Sequence, residues 1–224
     1  NKRTLLSSII KIDCICRVFD QKYKKALIKL SNFMCIKYML FFAKTSTLIQ
    51  RIFPGYVWKI PVKDNSVFLT FDDGPIPELT PWVLDQLEQY DAKASFFCIG
   101  DNVKKNPDIF KKILDNGHLV CNHTFNHLNG WKTDTNKYIE NVLECSKVVR
   151  SDFFRPPYGL ILKSQSKQIK ERGFKIIMWD VLSWDFSQKC SPEKCLNNVI
   201  KNVEAGSIIV FHDNLKARKN LTYA

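Results

Sequence analysis

The sequence predicts an α/β fold built on a parallel sheet or barrel, and three observations carry that prediction. From Val67 onward, short apolar runs alternate with stretches of helical pattern. Prolines suited to a first helical turn stand at Pro81, Pro107 and Pro192. Polar residues able to do chemistry (Asp72, Asp73, His123, His127, Arg155, Asp185 and His212) fall just after predicted strands. In parallel sheets and barrels that is the edge where sites form.

In chain order, strands are expected near 67–71, 94–98, 118–122, 152–155, 175–182 and 207–211. Helices are expected over Thr80–Gln89, Pro107–Asn116, Thr135–Arg150, Ser164–Arg172 and Pro192–Glu204. The first strand, Val67 to Phe71, suits a packed pleat, and Gly74-Pro75 stops it. Asp72 and Asp73 then stand side by side, and two such carboxylates repel unless a cation lies between them. Taken alone, Asp-Asp-Gly is equally an ordinary solvated turn.

The chain has 224 residues, 45% apolar and 25% charged, enough for one sizeable core, with no repeat or low-complexity tract. Its net charge is +12, but residues 1–60 hold 12 of the 34 Lys and Arg and 2 of the 22 Asp and Glu. The other 164 residues carry only +2, which is no broad basic face, so nucleic acid is not an expected partner. The organisation expected is a basic N-terminal extension and lead-in over 1–60 and a catalytic domain over 61–224. Lys24–Phe42 can be drawn as a basic amphipathic helix lying on a membrane or against the domain, or as a mere leader. No apolar run is long enough for a bilayer, and no cleavage site follows a long apolar core. The eight cysteines include no Cys-x-x-Cys pair, so buried free thiols are expected, which leans toward a reducing compartment.

His123-Thr124-Phe125-Asn126-His127 places two imidazoles four apart, and in a helical turn both would face one ion. With one aspartate they make a three-ligand set with room for water and substrate, the catalytic form of a zinc site. Arg155-Pro156-Pro157-Tyr158-Gly159 is a stiff segment whose cation either pairs with an aspartate or sits on the surface. His212 ends the run Ile208 to Phe211, and Asp185 follows another; the imidazole is either a satisfied core residue or a proton donor held charged by Asp185.

Thr70-Phe71-Asp72-Asp73-Gly74-Pro75, His123-Thr124-x-x-His127, Arg155-Pro156-Pro157-Tyr158-Gly159 and Val210-Phe211-His212, in this order, resemble the motifs of the polysaccharide deacetylases. This is the NodB-homology group, carbohydrate esterase family four, with bacterial peptidoglycan and chitooligosaccharide deacetylases nearest in character. The resemblance covers roughly 64–224 and implies a distorted (β/α)7 barrel and a divalent metal, most simply zinc. It implies Asp73, His123 and His127 as metal ligands, Asp72 as general base and Arg155 as the group positioning it. It further implies the Tyr158 N–H as oxyanion donor, His212 as general acid and Asp185 as its tuning partner. The reaction implied is hydrolysis of the N-acetyl amide of a glycan, releasing acetate, by a monomer working in the cell envelope. A catalytically silent carbohydrate-binding or scaffold relative is the alternative.

Three departures from the family pattern stand out. Leu182 and Phe186 replace an Asp and a Trp, which bears on the substrate groove. Val210 replaces a Leu lining the acetate methyl pocket. The chain ends 12 residues after His212, where a helix and closing strand are expected, so either a fragment or an open barrel is anticipated.

Overall fold

The computed structural model describes residues 42–224, which form one compact unit, Phe42–Ala224. Apart from Phe42, the helix expected over Lys24–Phe42 lies outside the described residues, as do Cys14, Cys16 and Cys35. No helix among the described residues is long and apolar enough to cross a membrane.

Seven strands form one sheet: β1 (Phe68–Asp72), β2 (Ser95–Cys98), β3 (Leu119–Asn122), β4 (Phe153–Phe154), β5 (Lys175–Ile176), β6 (Val181–Leu182) and β7 (Ile208–His212). Their order is β5-β4-β3-β2-β1-β7-β6, and every pair is parallel. The helices are α1 (Thr47–Ile52), α2 (Thr80–Gln89), α3 (Gly100–Lys105), α4 (Pro107–Asp115), α5 (Thr135–Ser146), α6 (Lys163–Glu171), α7 (Pro192–Ile200) and α8 (Arg218–Leu221). After β7 the chain forms α8 and no further strand.

The predicted single strand 175–182 is two strands on opposite edges of the sheet. Five residue steps span at most about 19 Å, whereas seven flat strands would hold their edges about 29 Å apart. The sheet must therefore curl until its edges nearly meet, which makes it the distorted (β/α)7 barrel. The gap in the ladder lies between β5 and β6.

Residues 42–60, grouped by the sequence reading with the extension, belong to the compact unit and line that gap. Val57 accepts from the Met178 N–H and donates to the Ile176 carbonyl, at 2.7 and 2.9 Å; Thr45 donates to the Asp180 carbonyl and the Leu182 N–H to Ala43, at 2.8 and 2.7 Å. Backbone groups on two open edges thereby find partners. Lys44 adds an ion pair to buried Asp180 at 2.7 Å, and Ser207 donates to the same carboxylate at 2.6 Å.

The two faces of the sheet divide the labour. Phe71, Phe96 and Phe211, stacked at 5.3 and 6.0 Å, join Val83, Leu84 and Leu87 of α2 in the hydrophobic core under the helices. Alternation turns Thr70, Asp72, Phe97, Val210 and His212 to the opposite, inner face, because Thr70 pairs in register with Val210, and Asp72 with Phe97 and His212. Cys98, Cys121, Cys145, Cys190 and Cys195 are all free and buried, as the spacing of the cysteines anticipated.

Gly206 sits where the lead-in meets β7, at φ +81°, and a Cβ there would lie 2.1 Å from the Ile60 carbonyl oxygen. Gly173, at φ +89°, has nothing within 4 Å. Gly173→Ala should cost only the left-handed backbone term, about 1–2 kcal/mol. Gly206→Ala should lose a further 1–3 kcal/mol or so from overpacking. Urea unfolding measures both, and equal losses would show that the lead-in is not packed there.

Candidate active site

The strands deliver the predicted residues to one mouth of the barrel. Asp72 ends β1, His212 ends β7, His123 follows β3 and Arg155 follows β4. Cysteine 98 ends β2, after which the chain turns into α3.

Arg155 is fully buried, with 0% exposure. Its guanidinium donates to Asp72 Oδ1 at 2.6 Å and Thr70 Oγ1 at 2.7 Å, and to the carbonyls of Ile177 and Met178 at 3.2 and 2.9 Å. It lies 3.9 Å from the Phe97 ring centroid. The surface alternative is thereby excluded. Burial lowers the guanidinium's pKa and the Asp72 charge opposes that fall.

Asp73, His123 and His127 bring one ligand atom each within 4.8 Å of one another. Asp73 Oδ1 lies 3.0 Å from His127 Nε2 and 3.5 Å from His123 Nε2, yet it is buried with no hydrogen bond. The Arg155 carbonyl accepts from His123 Nδ1 at 2.8 Å, so in the neutral ring Nε2 keeps its lone pair. A lone pair and a carboxylate oxygen facing each other in a buried place call for a cation between them. The donor set suits a divalent ion of the zinc kind and leaves positions open. Against burial, the two imidazoles and the charge of His212 hold the Asp73 carboxyl well below the usual range.

The pair of histidines does not sit on a helical turn, contrary to the expectation from their spacing. Residues 123–128 are irregular, with Thr124 at φ 63° and His127 at φ 55°. Asn122 Oδ1 accepts from the Thr124 N–H, Thr124 Oγ1 from the Leu128 N–H, and Asn141 Oδ1 from Phe125 and Asn126. These bonds supply what helical geometry does not, and the ring centroids come within 5.1 Å.

Asp185, fully buried, grips His212 twice: Oδ1 bonds ring Nδ1 at 2.8 Å and Oδ2 accepts the backbone N–H at 2.6 Å. Burial favours the neutral ring, but the charge and hydrogen bond of Asp185, reinforced by Asp73 and Asp72, raise His212 to about 9. The imidazole is therefore a cation at neutral pH. Phe186 sets its ring against His212 at 4.9 Å, and Val210 is buried two residues earlier on the same face. Across the mouth, Tyr158 is 52% exposed, and its ring lies 4.6 Å from that of His127. Tyr158 adopts φ 60°.

Three neighbours escaped the sequence reading. Asn102 on α3 donates to the Asp73 carbonyl at 2.7 Å. Asp213 accepts from the Gly74 N–H at 2.9 Å and from Thr80 at 2.6 Å, and Asn214 donates to Asp73 Oδ2 at 2.5 Å. Asp213 stood in view beside His212; nothing in the pattern marked either asparagine.

Fold and cluster together define a class: a parallel barrel with a candidate His₂Asp metal site at the strand-end mouth. Residues 59–177 match the family model described as polysaccharide deacetylase, and the chain belongs to that family. It is 40% identical over 169 residues to a peptidoglycan-N-acetylglucosamine deacetylase of Bacillus cereus, covering 71% of this chain and 78% of that one. It is 32% identical over 156 residues to a chitooligosaccharide deacetylase of a Bradyrhizobium species, covering 66% and 71%. Among solved structures, it is similar to the Bc1960 peptidoglycan N-acetylglucosamine deacetylase in complex with 4-naphthalen-1-yl-N-oxidanyl-benzamide. That likeness has a TM-score of 0.73 and 33% identity, over 80% of this chain and 87% of the other. Some relatives are longer, and the chain spans 37% of one from Listeria monocytogenes.

Arg155→Met should destabilise the protein by about 3–5 kcal/mol, because it leaves the Asp72 charge buried without its partner. Adding Asp72→Asn should restore part of that loss, as read by denaturant unfolding; a double variant no more stable than the single one would contradict the pairing. For His212, an NMR titration of the metal-free protein should give a midpoint near 9. In Asp185→Asn the midpoint should fall toward the ordinary histidine value of about 6.5. The sign follows: a raised folded pKa adds stability that is complete below about pH 6.5 and lost as pH climbs through about 9.

Proposed function

We propose that this chain is a metal-dependent N-deacetylase that hydrolyses the N-acetyl amide of an N-acetylated glycan, of peptidoglycan or chitin-like type, releasing acetate. The observation that carries this reading is the buried, bond-free Asp73 Oδ1 facing two imidazole nitrogens. Beside it, Asp72 and His212 pair in register on adjacent strands. The relatives named above support the substrate class. A silent relative would be expected to lack one of Asp72, Asp73, His123 or His127, and all four are present.

Asp73, His123 and His127 would hold the divalent cation, most simply zinc. When bound, it supplies Lewis acidity, polarising the acetamide carbonyl and acidifying a water. Asp72, held in place by its ion pair with Arg155, takes a proton from the attacking water. The Tyr158 N–H donates to the developing oxyanion. His212, protonated through Asp185, delivers its proton to the amine nitrogen as the carbon–nitrogen bond breaks. Acetate and a free amino sugar remain. Val210 borders the acyl side of this site, and Phe186, against His212, the substrate groove.

Asp72→Asn should retain metal while acetate release falls by about 10²–10⁴-fold. Asp73→Ala should lose both metal and turnover. Metal analysis paired with acetate release from chitooligosaccharides and peptidoglycan, side by side, reads these outcomes, with chelation abolishing and zinc restoring activity. Full turnover in Asp72→Asn would remove that residue as base, and a fully metallated wild type inert on both glycans would favour the silent alternative.

A further inference from the structure

Away from the two imidazoles, Asp73 is held by groups that no motif marks. Its backbone sits at φ 85°, a conformation disfavoured for any residue but glycine, so neighbours must impose it. The Asp73 N–H donates to the Phe97 carbonyl at 3.2 Å, and Asn102 Nδ2 donates to the Asp73 carbonyl at 2.7 Å. Those two bonds set the backbone; the carboxylate itself is set by Asn214.

Asn214 Nδ2 donates to Asp73 Oδ2 at 2.5 Å, while Asn214 Oδ1 accepts from the Ala217 N–H at 3.1 Å. The Ala217 N–H, which also donates to the Asn214 backbone carbonyl at 3.1 Å, can only donate, so it favours the amide oxygen on its side and the NH₂ toward Asp73. The reversed amide would also press a carbonyl oxygen on a carboxylate. Asp213, immediately before, ties the same segment to the loop after β1 through Gly74, and its own N–H donates to the Asp72 carbonyl at 3.1 Å.

A carboxylate presents two oxygens to a cation and can engage it through one or both. A donor committed to Oδ2 reserves that oxygen and leaves Oδ1, the atom facing both imidazoles, as the single ligand. We infer that Asn214 is a positioning residue that holds Asp73 as a one-oxygen ligand and thereby keeps a coordination position open for water and substrate. The inference rests on the metal site proposed above and concerns an amide outside the ligand set.

The test measures metal binding rather than turnover. Asn214→Ser keeps a hydroxyl able to accept from the Ala217 N–H but is too short to donate to Asp73. Zinc affinity, measured by competition with a chromophoric chelator, should fall about 10–100-fold, the usual effect of losing a partner behind a metal ligand. The visible spectrum of the cobalt-substituted protein should change with it, and the melting temperature of the metal-free protein should stay at the wild-type value. Unchanged zinc affinity and cobalt spectrum would overturn the inference, as would a lowered metal-free melting temperature with unchanged affinity. In the unsubstituted protein, the Asn214 side-chain NH₂ resonance should shift on zinc addition in step with the His127 ring. No shift would overturn the inference even if the variant failed to fold. Wild-type protein that binds no zinc would instead sink the metal site itself.

Discussion

The structure depends on one buried cation. Arg155 reaches across the barrel from the end of β4 to Asp72 and Thr70 on β1, and caps the carbonyls of Ile177 and Met178 where the ladder is broken. Its own carbonyl receives His123 Nδ1, so one residue orients a proposed base through its side chain and a proposed ligand through its backbone. A charge placed so deep is tolerable only when well partnered, and here four acceptors reaching all three guanidinium nitrogens and an aromatic face surround it. That requirement couples closure of the barrel to the geometry of the site.

Around this centre the backbone is bent against its preferences. Among the described non-glycine residues with positive φ are Asp73, Thr124, His127 and Tyr158, all at the mouth, and Trp184, directly before Asp185. Side-chain amides of Asn102, Asn122 and Asn141 hold most of that strain in place. The asparagines thus act as a scaffold for groups that strands and helices alone would not aim at one point.

The regular parts of the molecule were readable in the chain because their signals are local. Thr80–Gln89 appears where its proline and apolar spacing put it, and β1 and β7 lie within a residue of their expected bounds. The stretch 175–182 was not readable: a continuous apolar run says that residues are buried, not that the chain crosses from one edge of a sheet to the other. The helix Gly100–Lys105 was missed because a single buried apolar side chain, Val103, shows no period. The candidate site was recognised through ordered motifs, whereas Asn102 and Asn214 carry no signature, since an asparagine in a polar loop looks the same whether or not it holds a ligand.

The lead-in before β1 has the widest consequence. Because residues 43–60 supply the hydrogen bonds that two sheet edges lack, they act as an extra stave rather than a tether. Any transplant of this catalytic face into another protein must therefore carry the stave along. A version begun at residue 61 would leave a seam open to strand exchange between molecules.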